Sequence, residues 1–227
     1  MKCAKKESAG VDPFEPESPN VIVCEGWQDA SLISGLLEHL RITNCDVTYP
    51  TKAEGANGRS GIENTVYLLS GRAGSVSGVL VVGDADDNPA ASFKELVKAF
   101  CDPFKPPDEP FTVHIGRKKT TGIYLLPGKG KTGALEHLFL EAIALINPTG
   151  MHCIEELQTC ANTTTDWSSN KLAKMKLACY VATHCKNDPC CSPAYLWSSK
   201  NRVFDLANMA FKELGDFLLE FSAAVLT

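Results

Sequence analysis

The sequence predicts an α/β fold in which a mainly parallel sheet is flanked by helices and extended at its C-terminal end by further helices. Two observations carry this. Apolar runs of strand length alternate with helical periodicity in the order βαβαβα as far as Phe100. Past Asn147-Pro148 the pattern turns helical throughout. At 227 residues the chain suits one generous domain, or one domain with an appendage. We therefore expect a loose arm over 1–19, an α/β domain over 20–150 and a helical extension over 151–227. The extension packs on the domain or pairs two copies into a homodimer.

The arm is polar and carries Asp12-Pro13, Glu15-Pro16 and Ser18-Pro19. Val21-Ile22-Val23-Cys24 is a buried strand that runs into Glu25-Gly26. A helix follows from about Gln28 to Leu40, because Ala30, Leu32, Ile33, Leu36, Leu37 and Leu40 recur at helical spacing. Cys45 to Tyr49 reads as a second strand. The glycine-bearing stretch from Pro50 to Gly61 reads as a loop, mobile or near a ligand. Ile62, Val66 and Leu69 mark a second helix ending near Gly71. The third strand, Val79 to Gly83, delivers Asp84 and Asp86, and a third helix starts with Pro89 in its first turn. Beyond a proline-rich connector come strands at 111–115 and 122–126. Helices are expected over about 132–146, 154–160, 170–183 and 203–224, the last with Val203, Ala207, Ala210, Leu214, Phe217 and Phe221 on one stripe.

Composition narrows the function. A net charge of −5 argues against gripping duplex DNA by bulk charge alone. No window approaches eighteen uninterrupted apolar residues, and the basic start has no apolar run behind it. Ten cysteines without an export signal read as reduced thiols, so a cytoplasmic setting is expected.

The strongest chemical pattern joins two strand ends. Glu25 follows the first strand, and Asp84 and Asp86 follow the third. Parallel neighbours set their carboxyl ends side by side, where ligands of open α/β sheets collect. Asp29 lies one helical turn beyond Glu25. Converging carboxylates repel unless a cation neutralises them, which suits Mg²⁺ or Mn²⁺. The plainer alternative makes Asp29 a helix cap and Glu25 a solvated loop residue.

A strand ending in Glu25-Gly26 followed by a strand ending in Asp84-Ala85-Asp86 resembles the Toprim superfamily. Its members include topoisomerases, bacterial primases, ribosomal-RNA maturases, recombination mediators and OLD-type nucleases. Glu25-Gly26-x-x-Asp29, Asp84-Ala85-Asp86-Asp87-Asn88-Pro89, and Pro127 with Gly133-Ala134-Leu135-Glu136 look most like the OLD-like nucleases and small stand-alone Toprim proteins. The resemblance covers about residues 20–150. It implies a Toprim-like, Rossmann-like sheet that holds one or two Mg²⁺ ions and works on phosphodiester bonds of DNA or RNA. By that similarity Asp84 and Asp86 hold metal, Glu25 holds metal or serves as general acid/base, Asp29 supports a second metal and Glu136 completes the site. The catalytic lysine of such nucleases falls on Lys174, with Lys176 as the other choice. No ATPase segment precedes the domain, so ATP-coupled action is not expected. The alternative function is a catalytically idle metal- or nucleic-acid-binding module.

The remaining patterns have plain readings beside them. Glu136 shares a helical face with Leu140 and Ile143, so its carboxylate needs a partner, a metal or a lysine. Lys171 and Lys174 share a face that is either solvated or placed to stabilise charge on phosphorus. Pro127 to Gly133 contains Gly-Lys-Thr but lacks the first glycine of a phosphate loop, so a triphosphatase is disfavoured; Lys129 and Lys131 are left as backbone-phosphate contacts. Arg117-Lys118-Lys119 reads likewise, or as solvated. The late cysteines and histidines lack Cys-x-x-Cys spacing for zinc, and Cys179 reads as a buried thiol on a stripe with Leu172 and Met175. His114 and His137 have no identifiable partner.

Overall fold

Strand propensity and period-two burial build the centre of the molecule, a computed structural model that describes residues 14–50, 58–161 and 167–224. β1 (Asn20–Cys24), β2 (Cys45–Thr48), β3 (Gly78–Asp84), β4 (Val113–Ile115) and β5 (Thr120–Leu126) form one sheet in the order β2-β1-β3-β5-β4. β1 pairs in parallel with β2 and β3, and β3 with β5, whereas β4 runs antiparallel to β5. The mainly parallel sheet flanked by helices expected from the sequence is present.

Both faces of the sheet are covered, and alternate residues serve them in turn. Ile22, Leu80, Val82, Tyr124 and Leu126 enter one core, with α1 (Trp27–His39), α4 (Leu135–Ile146), α6 (Ser169–His184) and α7 (Lys212–Ala224). Val21, Val23, Val79, Val81, Ile123 and Leu125 enter the other, with α2 (Arg59–Ser70) and α3 (Pro89–Val97). Burying each such side chain contributes about 1.5–3 kcal/mol. α5 (Pro148–Cys160) adds Ile154 to the first core. The C-terminal helices therefore share a core with the sheet.

The strand order locates the crevice. The chain leaves β1 for β2 on one side, then crosses to β3 on the other. α1 and α2 accordingly cover opposite faces. The topological switch point lies between the carboxyl ends of β1 and β3, where Glu25 and Asp84 emerge.

Several local readings change. Residues 1–13 of the arm, and 51–57 of the expected loop, lie outside the described residues. Residues 14–18 are not loose: Phe14 packs on the second core, its carbonyl accepts from Arg72 at 2.9 Å, and Asp46 accepts the amides of Glu17 and Ser18. The expected helix over 203–224 begins only at Lys212, after a 3-10 turn at Met209–Phe211. Asp205 accepts from the Ala207 amide at 2.8 Å and Asn208 from the Ala210 amide at 2.9 Å, and these bonds compete with helix formation. Cys179 is only half-buried, because α6 turns Ala173, Leu177, Tyr180 and Val181 inward instead. Lys119 is neither solvated nor free for phosphate: it donates to the carbonyls of Ala73 and Val76 and lies 5.6 Å from the centroid of Phe104.

Candidate functional site

The carboxyl ends of β1 and β3 are registered directly, Cys24 opposite Val82, and the Glu25 amide extends the ladder by donating to the Val82 carbonyl at 3.1 Å. This places the Glu25 carboxylate 3.5 Å from the Asp84 amide, which donates to it. Gly26 caps α1, and the Asp29 side chain reaches back to accept the Gly26 amide at 2.9 Å. Asp29 thus does stabilise the helix start, yet it also turns its carboxylate toward Glu25 and Asp84. Asp84 accepts the Leu135 amide at 3.2 Å, so the start of α4 docks against the end of β3. Glu136, the next residue, is 8% exposed.

Five carboxylates therefore interact here: Asp84 with Asp29, Glu25, Glu136 and, most weakly, Asp86. Burial is the largest cause of the shift at Asp84, followed by the charges of Asp29, Glu25 and Glu136, and its carboxyl is pushed up to about 8. Burial and then the charge of Glu25 push Asp29 up to about 7. Burial also raises Glu25, against the Asp84 amide and the Arg59 charge, which lower it. Burial and mutual repulsion thus favour the protonated forms of Asp84 and Asp29. Asp29, Asp84, Glu136, Trp27, Gln28 and Lys174 line a cavity of about 280 Å³.

Asp86 adds its charge to Asp84 and Glu25 but has partners of its own. Its backbone is left-handed at φ 51°, locked by two hydrogen bonds with Gly133 at 2.7 and 2.8 Å. Gly133 is required there, because at φ 119° a Cβ would stand 2.5 Å from the His137 ring. That bridge also delays the start of α4 from the expected residue 132 to Leu135. The Asp86 carboxylate pairs with Arg59 Nη2 at 2.5 Å and accepts from Asn170 Nδ2 at 3.0 Å. Asp87 is exposed, and Asn88 rather than Asp87 caps α3 by accepting the Ala91 amide.

Arg59, the first residue of α2, has no counterpart in the sequence reading. It also pairs with Glu95 and donates to Ser92 Oγ at 2.9 Å and to the Asp84 carbonyl at 3.3 Å. Burial pulls its guanidinium down, but Glu95, Glu25 and Asp86 outweigh this and the net shift is upward. His137 gains partners too. Its Nδ1 accepts the Ala134 amide at 3.1 Å, so Nε2 carries the proton of the neutral ring and faces Ser169 Oγ at 2.9 Å. Burial lowers its basicity, which favours the neutral ring.

The lysine candidates separate. Lys174 lines the cavity with its Nζ 3.8 Å from Glu136, whereas Lys176 pairs with Glu155 of α5 at 3.8 Å. Lys171 lies over Trp167, 4.4 Å from its centroid. In the Gly-Lys loop, Lys131 pairs with Glu141 at 2.6 Å and the Lys129 amide donates to Glu213 at 2.8 Å.

Among the described residues, no group of three or more His, Cys, Asp or Glu side chains is arranged to hold a metal ion as it stands. The nine described cysteines are free thiols, and no helix among the described residues is long and apolar enough to cross a membrane.

What emerges is an α/β protein whose sheet opens, at its switch point, into a carboxylate-lined crevice. The chain belongs to the family described as a protein of unknown function, DUF3226, whose model matches residues 19–222. Comparison with curated proteins and with solved structures gave no match.

Proposed function

We propose that the chain is a Toprim-like nuclease, hydrolysing phosphodiester bonds of DNA or RNA with Mg²⁺ or Mn²⁺ in the cytoplasm. The observation that carries this is the convergence of Asp84, Asp29 and Glu136 on one cavity beside Glu25, where burial and mutual charge push the Asp84 carboxyl up to about 8. Such a cluster is destabilised by its own charge and gains most from a hard cation.

The donor set fits the ion. Every candidate ligand is a carboxylate oxygen, and Asn170 adds a buried Oδ1 with no hydrogen-bond partner beside Asp86. Mg²⁺ keeps several waters and usually takes only one or two carboxylates, so a ready-made cage of three is not required. Asp84 and Glu25 would hold it, with Asp86, Asp29 and Glu136 around them. A bound cation of this kind acidifies a water and neutralises charge on the scissile phosphate. The chain itself supplies the rest. Glu25, whose carboxyl burial raises, is a candidate to hold and release a proton beside the scissile phosphate. Lys174, 65% exposed at the cavity rim, can neutralise a phosphate oxygen there.

Incubation with supercoiled plasmid, single-stranded DNA and RNA, each with Mg²⁺ or Mn²⁺, tests this. Cutting that needs metal and disappears in Asp84→Asn supports the reading; absence of cutting on every substrate removes it. One observation favours the second reading, an idle binding module. The Arg59–Asp86 pair already neutralises one candidate ligand from within. That reading predicts nucleic-acid binding without cutting.

A further inference from the structure

The cavity that holds the carboxylates is walled on one side by an aromatic ring. Trp27 opens α1 directly after Glu25-Gly26 and lines the cavity with Asp84, Glu136 and Lys174. Tyr49, just past β2, and Tyr195, in the 3-10 turn Pro193–Tyr195, each place a ring centroid 6.0 Å from Trp27, inclined at 58° and 63°. Tyr49 packs against the core, but Trp27 and Tyr195 are not part of it. Tyr195 is 47% exposed and Trp27 is half-buried. The other two tryptophans have conventional roles: Trp197 packs on Phe139, and Trp167 lies under Lys171.

Large rings kept partly in water beside a charged cavity suit a ligand with one apolar face and one anionic end. A nucleotide unit has both. Its phosphate belongs with Lys174 and the carboxylate site, and the adjoining base is within reach of a ring on the same wall. Inside a duplex that base is stacked and paired and cannot reach a protein ring, whereas in a single strand it can. The net charge of −5 points the same way, because affinity cannot come from bulk attraction and must come from local contacts such as stacking. A second cavity of about 540 Å³ shares Gln28, Glu136 and Lys174 with the first, which leaves room for the strand to continue.

We propose that Trp27, flanked by Tyr195, is a stacking platform for an unpaired nucleobase next to the phosphate in the carboxylate cavity, so that the site takes single-stranded rather than duplex nucleic acid. This rests on the nucleic-acid reading of the site given above, and binding is measured separately from cutting so that the two can fail independently.

The experiment uses the full chain with Ca²⁺ in place of Mg²⁺. A fluorescein-labelled ten-nucleotide deoxythymidine strand and a duplex of equal length are followed by anisotropy, with tryptophan emission recorded on unlabelled strands. The single strand is expected to bind at least about tenfold tighter than the duplex and to quench tryptophan emission. Trp27→Phe keeps a ring, so it retains binding within a few-fold but loses the quench. Trp27→Ala and, on the exposed rim, Tyr195→Ala weaken single-strand binding, the former by about tenfold or more. Circular dichroism confirms that the variants fold, and Tyr195→Ala keeps the test open if Trp27→Ala does not. Equal binding of strand and duplex, or an undiminished quench in Trp27→Phe, overturns the proposal. Single-strand binding with the Trp27 quench but no cutting with Mg²⁺ upholds the platform and removes the nuclease. Equal cutting of strand and duplex without the quench does the reverse.

Discussion

Two regions at the carboxyl ends of the strands advertise phosphate chemistry, and only one is left electrostatically unsettled. After β5, the Gly-Lys-Gly-Lys-Thr loop looks ready for an anion, yet it is already engaged: the Lys131 ammonium pairs with Glu141, and the Lys129 backbone amide donates to Glu213, which also accepts from Tyr124. At the β1 and β3 exits, by contrast, buried acids face one another and two of them are pushed up to about 7 and about 8. A charge matched by an opposite one stabilises the fold; acids crowded into one cavity, as these are, gain from a ligand that offsets their repulsion. The pattern of lysines and glycines alone does not make that distinction.

The comparison breaks most visibly on activity. Asp84→Asn is expected to lower metal-dependent cutting by about a hundredfold or more, while Lys131→Ala leaves it within about twofold and changes stability by no more than about 1 kcal/mol. Cleavage of one labelled strand by both variants checks this. A similar loss in Lys131→Ala would equate the two exits. Lys174→Gln is expected to cost about tenfold in kcat, and Lys176→Gln almost nothing, since its partner is Glu155. The Arg59–Asp86 pair sharpens the contrast further. Arg59→Ala removes an internal competitor, so Mn²⁺ affinity is expected to rise about fivefold by calorimetry.

Smaller still is the effect of pH on the metal-free protein. The folded Asp84 and Asp29 carboxyls lie above the ordinary value of 3.8, so the folded chain binds protons that the unfolded chain releases. Their stabilisation is fully present below about pH 4 and is lost as pH rises through about 7 to 8. Wild type is therefore expected to lose melting temperature relative to Asp84→Asn between pH 5 and 8, by roughly 3 °C or more. Thermal scans in a chelator follow the difference, and one that stays flat with pH would deny the raised carboxyl.

Much of the frame was legible because it rests on local pattern. The apolar runs of β1 and β3, the helical spacing of α1 and the Asn88-Pro89 start of α3 are decided by residues near one another. The meeting of Glu25 with Asp84 was legible too, since it needs only parallel neighbours of opposite crossover. Arg59 was not: its role depends on Asp86 and Glu95, 27 and 36 residues away, and nothing at the start of α2 signals it. Nor does local sequence signal His137, whose partner Ser169 lies 32 residues on. The left-handed turn of Asp86 has no local signal either, because the Gly133 bridge that holds it arrives from another strand exit. The 203–211 segment misled because its apolar spacing suits a helix while Asp205 and Asn208 hold the backbone otherwise.

The most direct test is Mn²⁺ binding to the full chain at pH 8, by calorimetry in two buffers of different ionisation enthalpy. The account predicts saturable binding with net proton release, because Asp84, pushed up to about 8, gives up its proton to a cation. It also predicts that the Glu25→Gln, Asp84→Asn double variant binds at least about a hundredfold more weakly. Binding that survives in the double variant, or that releases no protons, would contradict it.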